Sequence, residues 1–181
     1  MASISPLPPH LETLVSNNLR HVPDFPEPGV LFRDITPLLA NGPAFQELIR
    51  CLAQHYKNHI DAVAGLESRG FLLAAPLAVE LGVPMLMIRK AGKLPGPLIG
   101  MDYSLEYGTA RLELQPHSVP QGARVLIVDD VLATGGTAGA AVKLIEKSGA
   151  HVAEVFVLME LKDFQGKKQM KDISCQALLE V

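Results

Sequence analysis

Short runs that are apolar at almost every position, each followed by a stretch with helical spacing, restrict the fold of this chain most. Asp61-Ala62-Val63-Ala64-Gly65-Leu66, Pro84–Ile88, Arg124–Val128 and Val152–Leu158 are β-compatible and lack the polar alternation of a half-solvated strand. Ile173–Leu179 predicts a last strand. Strands apolar on both sides must be covered on both faces, so a parallel sheet flanked by helices is expected. Helices are predicted over 71–81 and 137–147, the second stopping at Ser148-Gly149. A third starts at Asn41-Gly42-Pro43, and its apolar positions Phe45, Leu48, Ile49, Leu52, Ala53 and Tyr56 form one stripe. The expected class is α/β, a doubly wound and mainly parallel sheet that binds ligands at the C-terminal ends of its strands.

Two segments break the rhythm. A short helix is predicted over Leu11–Leu19, but Phe25–Pro37 carries too many prolines for a helix or central strand and reads as an ordered loop. Residues of about 1–40 are expected to form a small N-terminal hood. Between Ile88 and Arg124, the glycines Gly92, Gly96, Gly100 and Gly108 suggest a long excursion with a loose hairpin in its middle. Such an excursion in a compact domain is usually functional, and a mobile lid over about 90–122 is the expected form. No repeat or linker divides the 181 residues, so one domain over 1–181 is expected.

Composition excludes several classes. A net charge of −3 handicaps a nucleic-acid binder, so an anionic ligand must be held by local cations and backbone amides. The N-terminus lacks a signal-peptide pattern, and the longest apolar stretches fall short of a membrane span. Cys51 and Cys175 have no metal-ligand spacing and read as reduced core thiols of a cytoplasmic protein.

The chemistry concentrates in Val125-Leu126-Ile127-Val128-Asp129-Asp130-Val131-Leu132-Ala133-Thr134-Gly135-Gly136-Thr137-Ala138. An apolar strand delivers two carboxylates to the sheet edge, and Ala133–Thr137 turns into a helix. The glycines let backbone N–H groups approach a ligand, the helix start adds partial positive charge, and Thr134 and Thr137 add hydroxyls. The loop has no lysine, which excludes an ATPase P-loop. Carboxylates beside a phosphate would repel it unless they face something else. Vicinal ribose hydroxyls near a magnesium ion answer this: Asp129 and Asp130 accept from the hydroxyls while the loop holds the 5′-phosphate. Separately, Glu67-Ser68-Arg69-Gly70 follows a strand and opens a helix, a second place where amides and Arg69 hold an anion.

The Val125–Ala138 stretch closely resembles the phosphoribosyl pyrophosphate signature of the type I phosphoribosyltransferases. Phe25-Pro26-x-Pro28-Gly29-Val30-x-Phe32-Arg33-Asp34-Ile35, Gly65-Leu66-x-Ser68-Arg69-Gly70-Phe71, Gly92-Lys93-Leu94-Pro95-Gly96 and Tyr103-Ser104-Leu105-Glu106-Tyr107-Gly108 resemble the adenine-specific branch. The resemblance runs from about Pro23 to Leu161. It implies the type I fold and a homodimeric, Mg²⁺-dependent, cytoplasmic salvage enzyme that makes AMP and pyrophosphate from adenine and phosphoribosyl pyrophosphate. It further implies that Ser68, Arg69, Lys90 and Lys93 hold pyrophosphate, with Lys90 and Lys93 arriving on the lid. Glu106 manages the proton of the base and Tyr107 stacks on or bonds to a phosphate. Leu31, Phe32 and Arg33 read the adenine edge and face, with Leu161 closing the other side. Magnesium is held mainly through the substrate, with no dedicated set of protein ligands. A hypoxanthine–guanine enzyme would share the phosphate site, and a regulator that senses phosphoribosyl pyrophosphate would normally lack Glu106 or add a nucleic-acid-binding region. One departure stands at Ala91, where the family usually has another basic residue.

Overall fold

The structure, a computed structural model, describes residues 6–104, 108–170 and 173–181. Two compact units divide the chain, Met1–His55 and Tyr56–Val181.

In the first unit, helix α1 (His10–Ser16) precedes a two-stranded antiparallel ribbon of β1 (Arg20–Pro23) and β2 (Leu31–Asp34). The expected loop over Phe25–Pro37 is therefore ordered more regularly than its prolines suggest. Its prolines avoid the middle of β2: Pro26 and Pro28 occupy the connection, and Pro37 lies in the first turn of α2 (Thr36–Ala40), where a missing N–H costs nothing. Asp34 fixes the strand-to-helix joint by accepting from the Thr36 hydroxyl at 2.6 Å and the Thr36 N–H at 2.9 Å. Those bonds, with Arg20, hold its carboxyl down at about 2. Helix α3 (Gly42–Tyr56) buries the predicted stripe from Leu48 onward, Leu48 and Leu52 completely, and leaves Phe45 half-buried.

The second unit contains a seven-stranded sheet ordered β5-β6-β4-β3-β7-β8-β9. Its parallel part comprises β4 (Met85–Lys90), β3 (Ala62–Leu66), β7 (Arg124–Leu132), β8 (His151–Glu160) and β9 (Cys175–Glu180). The hairpin β5 (Ile99–Ser104) and β6 (Thr109–Leu114) adds an antiparallel edge. Alternation along β3 separates two faces. Ala62, Ala64 and Leu66 join the large core with the buried side of α5 (Gly136–Lys147), including Ala141, Leu144 and Ile145. Gly65 faces α4 (Gly70–Leu81): a Cβ there would meet the Ala74 Cβ at 2.9 Å, so glycine permits the helix to approach. One helix thus covers each face, which explains why β3 is buried throughout.

Strand β7 runs further than the sequence predicts. Asp129 pairs in register with Val157, and Val131 with Met159, so the ladder to β8 carries both aspartates inside the strand. Their polarity hid this extension.

Candidate active site

A cleft of about 670 Å³ opens where β3, β4 and β7 end. From β7 come Asp129 and Asp130, and beyond it the turn Ala133–Gly135 leads into α5. Gly135 adopts φ 79° before the first helical residue, a conformation that favours glycine. The start of α5 thereby faces the cleft with Gly136 and Thr137 on its wall, where free N–H groups and the helix dipole favour an anion.

A tight backbone contact supports this turn. A Cβ on Gly135 would lie 2.2 Å from the Gly166 carbonyl oxygen, and one on Gly166 would lie 2.2 Å from that of Ala133. The 3-10 segment Gly166–Met170 thus backs the turn, and only two glycines allow the approach. The neighbouring Lys167 ammonium lies 2.5 Å from the buried Glu160 carboxylate at the end of β8, which ties the segment to the sheet.

The loop after β3 reaches the same cleft. Ser68 and Arg69 line the cleft, and the Glu67–Ser68 peptide is cis. Arg69 Nε lies 2.7 Å from Oδ2 of Asp130, forming an ion pair without the alignment of a linear hydrogen bond. Gly70 begins α4 directly against β7, and a Cβ there would meet the Val128 carbonyl at 2.6 Å. Glu67 accepts from the Lys90 N–H at 2.9 Å and from both Arg89 Nε and Nη2 at 3.3 Å. The Lys90 amide, aided by Arg89, lowers the Glu67 carboxyl below its ordinary value despite opposing desolvation. Glu67 consequently fixes the base of Lys90, whose side chain lines the cleft.

The paired aspartates have different partners. The Asp130 N–H donates to Asp129 Oδ1 at 2.9 Å. Part of Asp129 is exposed, yet burial of its carboxylate pushes its pKa well above the ordinary range, and the charge of Asp130 pushes it the same way. An ionised Asp129 therefore favours a hydroxyl donor or a cation arriving in the cleft.

Of the positions singled out in the sequence, the cleft gathers Ser68, Arg69, Lys90, Asp129, Asp130 and Ala133–Thr137. Lys93 is exposed and does not line it; its carbonyl accepts from Arg89 Nη1 at 3.1 Å. Leu161 is absent from the lining, although its N–H donates to the cleft residue Leu132 at 2.8 Å. Leu31, Phe32 and Arg33 lie on β2 of the first unit, where Phe32 meets Phe25 edge-to-face at 5.2 Å. Glu106 and Tyr107 lie outside the described residues, between the paired ends Ser104 and Thr109 of β5 and β6. Sequence reasoning missed Glu67, Tyr103, Ala110 and Leu112 on the cleft wall, and Gly166 behind it. The β5–β6 alternation could have pointed to the hairpin positions; nothing local marks Gly166.

Among the described residues no helix is long and apolar enough to cross a membrane. The profile of the phosphoribosyl transferase domain family matches residues 34–180. The chain is 48% identical over 169 residues to the adenine phosphoribosyltransferase of Arthrobacter sp. (strain FB24), covering 93% of this chain and 91% of that protein. Against the Mus musculus protein of the same name, identity is 50% over 171 residues, with 92% and 95% covered. Among solved structures, adenine phosphoribosyltransferase from Saccharomyces cerevisiae, complexed with an imino-altritol bisphosphate and adenine, superposes with a TM-score of 0.89 at 39% identity, covering 94% of this chain and 99% of that one. The Trypanosoma brucei protein, in complex with AMP, pyrophosphate and ribose-5-phosphate, gives 0.85 at 28% identity, with 94% and 79% covered.

Proposed function

The chain belongs to the adenine phosphoribosyltransferases, within the phosphoribosyl transferase domain family, and from that premise we propose how its residues share the work of making AMP and pyrophosphate from adenine and phosphoribosyl pyrophosphate. The observation that carries the assignment is the joint opening of two anion-holding loops, Ser68-Arg69 and Ala133–Thr137, on one cleft beside Asp129 and Asp130.

The amides and hydroxyls of Ala133–Thr137 hold the 5′-phosphate at the start of α5. Asp129 and Asp130 accept from the ribose hydroxyls. Burial raises the free energy of an ionised Asp129, and a hydroxyl donor compensates that cost. Ser68 and Arg69 hold the pyrophosphate, and Lys90, fixed through Glu67, adds a cation from the end of β4. Lys93 joins on lid closure, with the lid spanning about 90–122. As the C1–O bond to pyrophosphate loosens, these cations stabilise the departing charge and adenine N9 attacks the opposite face. Glu106 manages the proton of the base and Tyr107 meets a phosphate. Leu31, Phe32 and Arg33 read the adenine edge and face, and Leu161 closes the other side.

Magnesium suits this donor set. Asp129 and Asp130 line the cleft as hard oxygen donors of the kind magnesium prefers, and the ion would be held mainly through phosphoribosyl pyrophosphate. When bound, it neutralises charge on the pyrophosphate. The working unit is a homodimer: Leu72 and Val79 on α4 are 47% and 82% exposed, and Met87 is 43% exposed, an apolar set that a second copy of the chain would cover. Both thiols are free, which suits the reducing cytoplasm. Residues 1–181 act together as one catalytic domain, with about 1–40 as the hood.

Product formation from phosphoribosyl pyrophosphate with adenine, hypoxanthine or guanine, each with and without Mg²⁺, tests this reading. AMP forms from adenine and requires Mg²⁺; turnover confined to the 6-oxopurines would reassign the base site, and no turnover with any base would point to a sensor.

A further inference from the structure

Remote in sequence from the catalytic loops, three side chains of different chemistry converge in the first unit. Glu47 and Cys51 stand one turn apart on α3, and His10 begins α1. His10 Nε2 lies 3.3 Å from Glu47 Oε1, and Cys51 Sγ lies 3.5 Å from the same oxygen. The three donor atoms all fall within 4.8 Å of one another. Among the described residues, this is the one group of three such ligands close enough to share an ion.

Tetrahedral zinc bonds of about 2.0 Å to nitrogen and oxygen and about 2.3 Å to sulfur require an N···O edge of about 3.3 Å and an S···O edge of about 3.5 Å. Those are the two edges already present. The third, from His10 to Cys51, is within 4.8 Å and would have to shorten, which the 56% exposed histidine side chain is free to do by rotating. The exposed imidazole also gives an ion a path from solvent. Imidazole, thiolate and carboxylate together favour zinc over magnesium or calcium.

We propose that His10, Glu47 and Cys51 bind Zn²⁺, with water as the fourth ligand, and that the ion joins α1 to α3. On binding, the thiol proton leaves to solvent as the S–Zn bond forms, and the present hydrogen bonds to Glu47 are exchanged for metal bonds. The site is structural and leaves the chemistry at the cleft unchanged.

Titration of the full chain with Co²⁺, followed by displacement with Zn²⁺, tests the assignment. A thiolate-to-cobalt absorption in the near-ultraviolet, with visible bands of tetrahedral strength, is expected at one ion per chain. Cys51→Ser should abolish the thiolate band, and Cys175→Ser should leave it intact. His10→Ala, at an exposed position that the fold tolerates, should weaken Co²⁺ binding at least tenfold and remove the rise in melting temperature that Zn²⁺ produces in the parent chain. No thiolate band in the parent chain, a band that survives Cys51→Ser, or equal affinity in His10→Ala would each overturn the proposal.

Discussion

Gly135 and Gly166 meet backbone against backbone: a Cβ on the first would stand 2.2 Å from the carbonyl oxygen of the second. The turn Ala133–Gly135 at the end of β7 thus takes its shape partly from a segment that follows β8. A methyl at 166 would stand just as close to the Ala133 carbonyl. Gly166→Ala should therefore displace the turn and lower kcat/KM for phosphoribosyl pyrophosphate by roughly 10- to 100-fold, since sub-ångström errors at a binding loop are costly. Steady-state kinetics on the folded variant measure this. Unchanged constants would show that the turn holds its shape without support from behind.

Asp129 should display a trade between stability and binding. Its carboxyl pKa is raised by burial and by Asp130, so the folded state holds the proton more tightly than the unfolded chain does. That contribution is complete below the unfolded pKa of about 3.9 and is lost as pH rises through the higher native value. Once pH exceeds the unfolded value, folding bears the cost of a carboxyl that the unfolded chain ionises freely. Asp129→Asn should raise the melting temperature at pH 7, by a margin that shrinks on acidification toward pH 4, while weakening phosphoribosyl pyrophosphate binding. Thermal melts across pH, paired with calorimetric titration, read both effects. A lower melting temperature at pH 7 would contradict the electrostatic account.

The strands were legible because they are apolar on both sides, and β3 is buried at every position. The two loops that open on the cleft were legible because glycine and hydroxyl residues follow those strands directly. The extension of β7 through Asp129 and Asp130 was not, since two adjacent acids resemble a strand end until the partners on β8 are known. The β1–β2 ribbon escaped notice because Pro26 and Pro28 mark a turn, whereas the short strands beside them carry no periodic signal. Gly166 was invisible for a different reason. Its importance comes from contact with Ala133 and Gly135, about thirty positions earlier, and no local pattern records a tertiary contact.

Turnover should separate from binding at Glu106. Glu106→Gln keeps the size of the side chain and removes the proton exchange with the base proposed for it, a contribution of about 10²- to 10⁴-fold for general acid–base groups. kcat should fall into that range while the affinity for phosphoribosyl pyrophosphate stays within twofold. Unaltered kcat would remove Glu106 from the reaction.

Outside the lining of the cleft, a polar cluster at Glu154 joins Tyr56 and Ser174. The Tyr56 hydroxyl donates to Glu154 at 2.8 Å and the Ser174 hydroxyl donates to its other oxygen at 2.7 Å, with Tyr56 fully buried and Glu154 8% exposed. Tyr56→Phe leaves one carboxylate oxygen short of a donor and should cost about 1–3 kcal/mol. Urea unfolding measures the loss, and kcat/KM at a temperature where the variant stays folded should match the parent. A loss below about 0.5 kcal/mol would mean that the carboxylate finds another donor.

The most direct measurement is a crystal structure of the chain with AMP. The 5′-phosphate is expected on the amides of Ala133–Thr137, with the ribose hydroxyls donating to Asp129 and Asp130. Phosphate density seated elsewhere, or ribose hydroxyls turned away from both aspartates, would contradict this placement.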